Sequence, residues 1–227
     1  ITGSFDSHLR GNRITVEHST FTGNNRKTAV YDTPYIFSSS FDNFPTAIKV
    51  DEMSIVANTN FTNIANFLIY NQSDSDILAK NNYWGTTDTT VIANKIYDQN
   101  DAGLDIGIVE FDPIATELIS DVGPLAAGTF YFPLNLIKYP YQGQVVGPPG
   151  SSNITVQWIA LEEADEYKLQ IASNVDFSTT LLNESELTNL SYTWAVPGTG
   201  TYFLRLAGVK SDDTESLWSH PVRFEHN

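Results

Sequence analysis

Four short segments of this chain share one template: VEHSTF at 16–21, IFSSSF at 36–41, VANTNF at 56–61 and LAKNNY at 78–83. Each has an apolar residue, two variable positions, a small polar residue, one variable position and an aromatic. The aromatics Phe21, Phe41, Phe61 and Tyr83 are spaced by 20, 20 and 22 residues. Val16, Ile36, Val56 and Leu78 stand five residues earlier, and Ser19, Ser39, Thr59 and Asn81 stand two residues earlier. A period this short marks a repeat architecture, because one unit cannot bury its apolar side alone and must stack on its neighbours.

Further apolar patches lie between the copies: TAVY at 28–31, TAIKV at 46–50 and NFLIY at 66–70. Each copy therefore has room for two or three strands of three to five residues. Parallel stacking at about 4.8 Å sets Phe on Phe and Ser on Ser, which is the logic of a parallel β-solenoid. Such a stack ends in an open layer of unpaired backbone that must be covered. After Tyr83 the pattern changes. Thr87 or Asp88 can cap a short helix carrying Val91, Ile92, Lys95 and Ile96, so residues 86–98 read as a cap over the last coil. GIVEF at 107–111 supplies a final strand before Asp112-Pro113 turns the chain away. The N-terminal coil has no evident cap and is expected to be exposed, paired with another chain, or covered by residues outside the repeat.

Residues 114–132 read as a loop-rich connection, followed by a change of periodicity. Ile154, Val156 and Trp158 share one face; so do Tyr167, Leu169 and Ile171; Leu190, Tyr192 and Trp194; and Tyr202, Leu204 and Leu206, with Val222 and Phe224 closing the series. Alternation with turn signals between the runs predicts an antiparallel β-sandwich over 133–227.

The Phe/Ser repeat followed by NNYWGT, IYDQND and GIVEFDP resembles the C-terminal end of right-handed parallel β-helix domains of the pectate-lyase-like superfamily, over roughly residues 10–113. That resemblance implies a fold and not an activity, since the superfamily includes polysaccharide lyases, glycoside hydrolases, epimerases, adhesins and non-catalytic surface proteins. The motifs ITVQW, EYKLQIA, TYFLRLAGV and SLWSHPVRF resemble a fibronectin type III domain over roughly 133–226. This implies Trp158 as the core Trp of strand B and Tyr202 near the start of strand F. Such domains most often serve as spacers or binding modules.

Net charge restricts the partners. The formal charge is −15, and it is spread along the chain, with 7 basic and 13 acidic side chains in residues 1–111 and 5 and 14 in residues 112–227. Such a surface repels phosphate backbones and anionic lipid. Cysteine is absent, which removes disulfides and thiolate metal sites. No apolar run is long enough to span a membrane. Ile1 is not an initiator Met, so the chain looks like a processed or excised piece. Five Asn-x-Ser/Thr sequons begin at Asn60, Asn71, Asn153, Asn183 and Asn189, acceptors in a glycosylating secretory route.

Candidate chemistry is sparse. Glycoside hydrolysis needs two carboxyls roughly 5–9.5 Å apart across one sugar. The close acidic pairs, Asp51/Glu52 and Asp74/Asp76, read as solvated loop acids. His8, His18, Arg10, Arg13, Arg26 and Lys27 form the best polar cluster, with a solvated face as its plainer explanation. DQNDAGLD carries Asp98, Asn100, Asp101, Gly103 and Asp105, but an EF-hand loop from Asp98 would need ligands at Ala102 and Val109, so a helix-ending turn fits better. Thr20, Thr22, Thr59 and Thr62 suggest an ice-binding array that Asp42 and Trp84 interrupt. Phe21, Phe41, Phe61 and Tyr83 read as an internal stack rather than a sugar platform.

The sequence thus predicts an all-β chain: parallel β-helix coils and a helical cap at 1–113, a linker at 114–132, and a fibronectin-III-like sandwich at 133–227. Its expected role is a non-catalytic structural or adhesive segment of a large secreted, modular surface protein, located at the cell surface or outside the cell. No catalytic, metal or cofactor residue is assigned. The expected partners are other copies, other surface proteins or polysaccharide, with no nucleic acid and no membrane insertion. The rivals are the C-terminal part of a polysaccharide lyase or glycoside hydrolase with its catalytic coils upstream, and a carbohydrate-binding module.

Overall fold

Strands of two to five residues wind into triangular coils in the computed structural model, which describes residues 9–11, 14–24, 27–32, 35–102, 105–148 and 150–227. The chain divides into two compact units, Ile1–Ala126 and Ala127–Asn227. In the first, the coils supply β1 (Leu9–Gly11), β2 (Thr15–Glu17) and β3 (Thr20–Thr22), then β4 (Val30–Asp32), β5 (Tyr35–Phe37) and β6 (Ser40–Asp42). There follow β7 (Thr46–Val50), β8 (Ile55–Ala57) and β9 (Asn60–Thr62), then β10 (Phe67–Asn71), β11 (Ile77–Leu78), β12 (Ile96–Tyr97) and β13 (Val109–Glu110). Three parallel sheets result, in the orders β1-β4-β7-β10-β12, β13-β11-β8-β5-β2 and β3-β6-β9. This is a parallel β-solenoid.

Register puts like on like. Val30, Ile48, Ile69 and Ile96 pair in one inward row, and Val16, Ile36 and Val56 in another. The Phe21 and Phe41 rings stack at 4.8 Å and 3°, and Phe41 and Phe61 at 5.5 Å and 11°. The fourth ring is Trp84, 4.9 Å from Phe61 and 6° from parallel. Tyr83, expected in that place, pairs with Asn60 instead and is half-buried. The fourth copy is therefore one residue out of the sequence alignment: Leu78 lies opposite Ile55, and Asn82 takes the polar place assigned to Asn81. One residue of slip in a strand exchanges its two faces, and burial of the larger indole decides between them.

A corner before each polar position fixes the register independently. His18, Ser38, Asn58 and Asn81 have φ of 46°, 45°, 51° and 59°. Behind each corner a side chain closes the turn. Ser39 Oγ donates to the Phe37 carbonyl at 2.8 Å and accepts the Ser19 N–H at 3.1 Å. Thr59 Oγ1 donates to the Ala57 carbonyl, and Asn82 Oδ1 accepts the Thr59 N–H at 2.9 Å. Because a β-branched residue resists φ > 0, Asn58→Val should lower stability by about 1–2 kcal/mol, read as a shift in urea midpoint, while Asn58→Gly should be nearly silent.

The cap differs in detail from its expectation. Helix α1 (Thr89–Ala93) is capped by Asp88, whose side chain accepts from Thr90 N and Val91 N. Ile92 is buried, but Val91 is 42% exposed, and Ile96 belongs to β12 rather than to a helix. A second short helix, α2 (Gln99–Ala102), separates β12 from β13. The strand expected at 107–111 is β13, pinned where Gly107 passes Ser75 so closely that a Cβ would lie 2.1 Å from its carbonyl oxygen.

The stretch read as a linker begins as a strap on the first unit. Ala115 N donates to Asn82 O, Ile119 exchanges two hydrogen bonds with the Asn60 side chain, and Gly123 N donates to Ser38 O. Residues 115–123 thus run back along the coils, about one coil per four residues, held mostly through backbone groups that leave little hydrophobic pattern in the sequence.

The second unit is an antiparallel sandwich of β14 (Ile137–Tyr139), β15 (Gln144–Val146), β16 (Asn153–Trp158), β17 (Glu166–Ala172), β18 (Thr180–Leu187), β19 (Ser191–Ala195), β20 (Gly200–Val209) and β21 (Val222–His226). Its sheets, β14-β16-β19 and β15-β21-β20-β17-β18, have the strand order of a fibronectin type III domain, with β15 parallel to β21. Val156, Trp158, Leu169, Ile171, Leu204, Leu206 and Phe224 are buried as their alternation predicted. Leu190 is not: it precedes β19 and is 41% exposed. Tyr202 Oη donates to Gly198 O at 2.8 Å, the corner bond that ties the start of this strand to the preceding loop. Tyr202→Phe should cost about 1 kcal/mol in chemical denaturation with the fold retained.

Candidate functional site

Alternation along the first sheet determines what its outer face presents. Val30, Ile48, Ile69 and Ile96 point inward, so their successors Tyr31, Lys49, Tyr70 and Tyr97 point outward, paired in register on adjacent coils. Parallel in-register stacking makes a strip. Lys49 Nζ lies 4.8 Å from the Tyr31 ring centroid and 5.3 Å from that of Tyr70. Tyr70 and Tyr97 stack at 4.4 Å and 4°. Phe67 meets Tyr70 edge-on at 5.1 Å and Tyr97 at 6.1 Å. All five side chains are partly exposed. Desolvation, and then the charge of the neighbouring Tyr70 phenol, raises the Tyr97 phenol above its ordinary pKa.

Acid flanks the strip beside Tyr31. Asp32 follows Tyr31 and is buried, with φ 82°. The Asp51 N–H donates to the Asp32 carbonyl at 3.3 Å, and the Asp51 pKa is raised by partial desolvation and then by the Asp32 charge. A folded carboxyl held above its unfolded value favours the protonated form. That contribution is present at acid pH and is lost as pH rises above the ordinary carboxylate range. Asp51→Asn should therefore raise the Tm slightly near pH 7 and leave it unchanged near pH 3. The gain is small because Asp51 is exposed.

The residues singled out from sequence have structural employment. Asp76 Oδ1 accepts the Ile108 N–H at 2.8 Å, fastening the last strand, and Asp74 and Glu52 are exposed. Asp98 is buried: Oδ1 accepts Asn100 N, Oδ2 accepts Val109 N at 2.9 Å, and Asp98 N donates back to Asp101 Oδ2. This is a reciprocal cap that starts α2, where sequence reading placed a helix-ending turn. Among the described residues no group of three metal-ligating side chains gathers. His18 is a corner residue, half-buried, with its pKa lowered by that burial. His8, Arg13 and Arg26, and the side chain of Arg10, lie outside what is described, and Lys27 is exposed.

The threonines form no unbroken array. Thr59 is interior; Thr22 and Thr62 flank Asp42 in an outer row; Thr20 stands in the row of Ser40 and Asn60, where Asn60 holds the strap. Phe21, Phe41 and Phe61 are the internal stack expected. The outer strip was missed in the sequence because the patches TAVY, TAIKV and NFLIY were read for their apolar residues alone. Their last outward positions carry the signal. The sequons differ in exposure: Asn60 and Asn71 are buried and hydrogen-bonded, whereas Asn153, Asn183 and Asn189 are exposed. In a glycosylating host, peptide mapping should find glycan at the latter three alone.

No family model matches the sequence, and no curated protein does. Among solved structures, an Fn3-like protein from Clostridium thermocellum is similar, with 18% identity, a TM-score of 0.32, and coverage of 37% of this chain and 86% of that chain. The sandwich is identified from its strand order rather than from that likeness. No described helix is long and apolar enough to cross a membrane.

Proposed function

We propose that this chain is a non-catalytic structural and adhesive segment of a secreted, modular surface protein, whose solenoid holds a polysaccharide against its outer aromatic strip. The observation that carries the reading is the row Tyr31, Lys49, Tyr70 and Tyr97, with Phe67 at its side. Flat rings with hydroxyl tips suit a ligand that is itself amphipathic, with apolar C–H faces and polar edges. The stacked coils keep the rings in place without a ligand, so binding orders few side chains. Membership of the pectate-lyase-like superfamily and an extracellular location belong to the same proposal. The acids that a hydrolase would need are better accounted for as fasteners, since Asp76 and Asp98 each accept a backbone N–H from the last strand region.

Retention on insoluble and gel-immobilised polysaccharides tests the reading. The intact chain should be held by at least one neutral glycan, and Tyr70→Ala/Tyr97→Ala should weaken retention about tenfold or more without lowering the thermal midpoint of the sandwich. Equal retention of the double variant would reject the strip as the binding surface.

A further inference from the structure

The cap is joined to the coils at a narrow place. Strand β12 has two residues and lies beside β10 through the pairs Ile69 with Ile96 and Tyr70 with Tyr97. Both short helices adjoin β12 in the chain, so the hold on this strand decides whether the last coil stays covered. The chain has no cysteine, and no disulfide can fasten the joint. A pair of phenols stands across it instead. The Tyr70 and Tyr97 rings are 4.4 Å apart and 4° from parallel. As register partners on parallel strands they project in the same direction, so the carbons beside one hydroxyl face those beside the other. Phe67 meets both rings edge-on and braces them, and both phenols are partly exposed on the outer face.

We propose that Tyr70 and Tyr97 are an oxidative cross-linking site, closed into a dityrosine bridge by a one-electron oxidant of the peroxidase class with hydrogen peroxide. One peroxide takes an electron and a proton from each phenol and leaves as two waters. The two phenoxyl radicals join through a C–C bond between ring carbons ortho to the hydroxyls. The hydrogens on those carbons then move to the oxygens, which restores both phenols. The product is two hydrogens lighter than the starting chain. Forming the bond takes the rings from face to face to edge to edge, a movement that their partial exposure allows. Proximity already established in the fold favours this pair over encounters between chains. Lys49 lies between Tyr31 and Tyr70 and keeps the third tyrosine of the row apart. The bridge closes the segment from Tyr70 to Tyr97 and ties the cap to the coil beneath, restricting the unfolded chain as a disulfide would. It goes beyond glycan binding and does not rest on it, because the coupling needs only the two rings and the oxidant.

The intact chain, without glycan, is treated with a peroxidase and hydrogen peroxide and followed by dityrosine fluorescence, intact mass and peptide mapping. The expected product is a monomer two hydrogens lighter whose map joins the peptides holding Tyr70 and Tyr97. Its rate of formation per chain should not change over about a tenfold range of protein concentration. Tyr70→Phe and Tyr97→Phe keep the ring stack and should each lower the bridge yield about tenfold or more, whereas Tyr31→Phe should change it little. The bridged chain should need more urea to unfold its solenoid, and an unchanged midpoint would overturn the fastening of the cap. Free N-acetyltyrosine in a parallel reaction shows that the oxidant is active. The proposal is overturned by an unmodified chain where free tyrosine couples, by bridges that map to other tyrosines or join separate chains, or by a yield that survives either phenylalanine variant. Polysaccharide retention is measured on the unoxidised chain. Failure to bridge with retained binding would therefore leave the strip proposal standing, and a bridge without binding would leave the cross-link standing.

Discussion

Phe41→Ala is expected to lower the stability of the solenoid by about 3–5 kcal/mol, the largest effect of any single truncation in that unit. Phe41 is fully buried and lies between two rings, at 4.8 Å from Phe21 and 5.5 Å from Phe61. Its removal breaks both contacts and leaves a void in a layer whose neighbours are hydrogen-bonded coil to coil and cannot collapse freely. Phe41→Leu fills part of that space and should cost markedly less. Urea unfolding followed by far-UV circular dichroism distinguishes them, and the sandwich transition should not move. Equal, small effects of both variants would mean that the ring column is not the solenoid's core.

Asn82→Ala should be nearly as costly, about 3 kcal/mol or more, although it deletes little apolar surface. Asn82 is fully buried and makes three bonds: Oδ1 accepts Thr59 N at 2.9 Å, and Nδ2 donates to Val56 O and Ala79 O, each at 2.7 Å. Alanine leaves one N–H and two carbonyls unmatched in the interior. Asn82→Ser restores the acceptor that Ser39 supplies two coils earlier and should recover part of the loss. Asn81→Ala, one residue away, tests the register itself: its side chain is only half-buried and Asn81 matters through its positive φ, so the cost should be about 1 kcal/mol.

The contrast between these two asparagines marks where the sequence was legible. A row with one apolar choice per coil, Phe21, Phe41 and Phe61 between polar neighbours, announced the period and the inward face. The fourth copy offered two adjacent aromatics, Tyr83 and Trp84, and two adjacent asparagines. Either alignment satisfies the template, and only the competition for interior volume separates them. Capping at Asp88 was legible because short polar side chains bond locally. The strap at 115–123 was not, because it is recognised by the Asn60 amide and by backbone groups. Strand β18 was overlooked for a related reason: Thr180–Leu187 is exposed or half-exposed on both faces and carries no alternation. The outer strip has the opposite history. Its residues were in view inside the apolar patches TAVY, TAIKV and NFLIY, and only the parallel register sets one over another.

The role proposed for the solenoid is to hold a polysaccharide without cutting it. The most direct measurement incubates the intact chain with a panel of soluble polysaccharides and reads, in the same samples, the fraction of protein bound and the number of new reducing ends or unsaturated products. The prediction is binding to at least one polymer, lost in Tyr70→Ala/Tyr97→Ala, with product formation at the level of a protein-free control. Time-dependent product release by the pure chain, or binding that survives loss of both tyrosines, would contradict it.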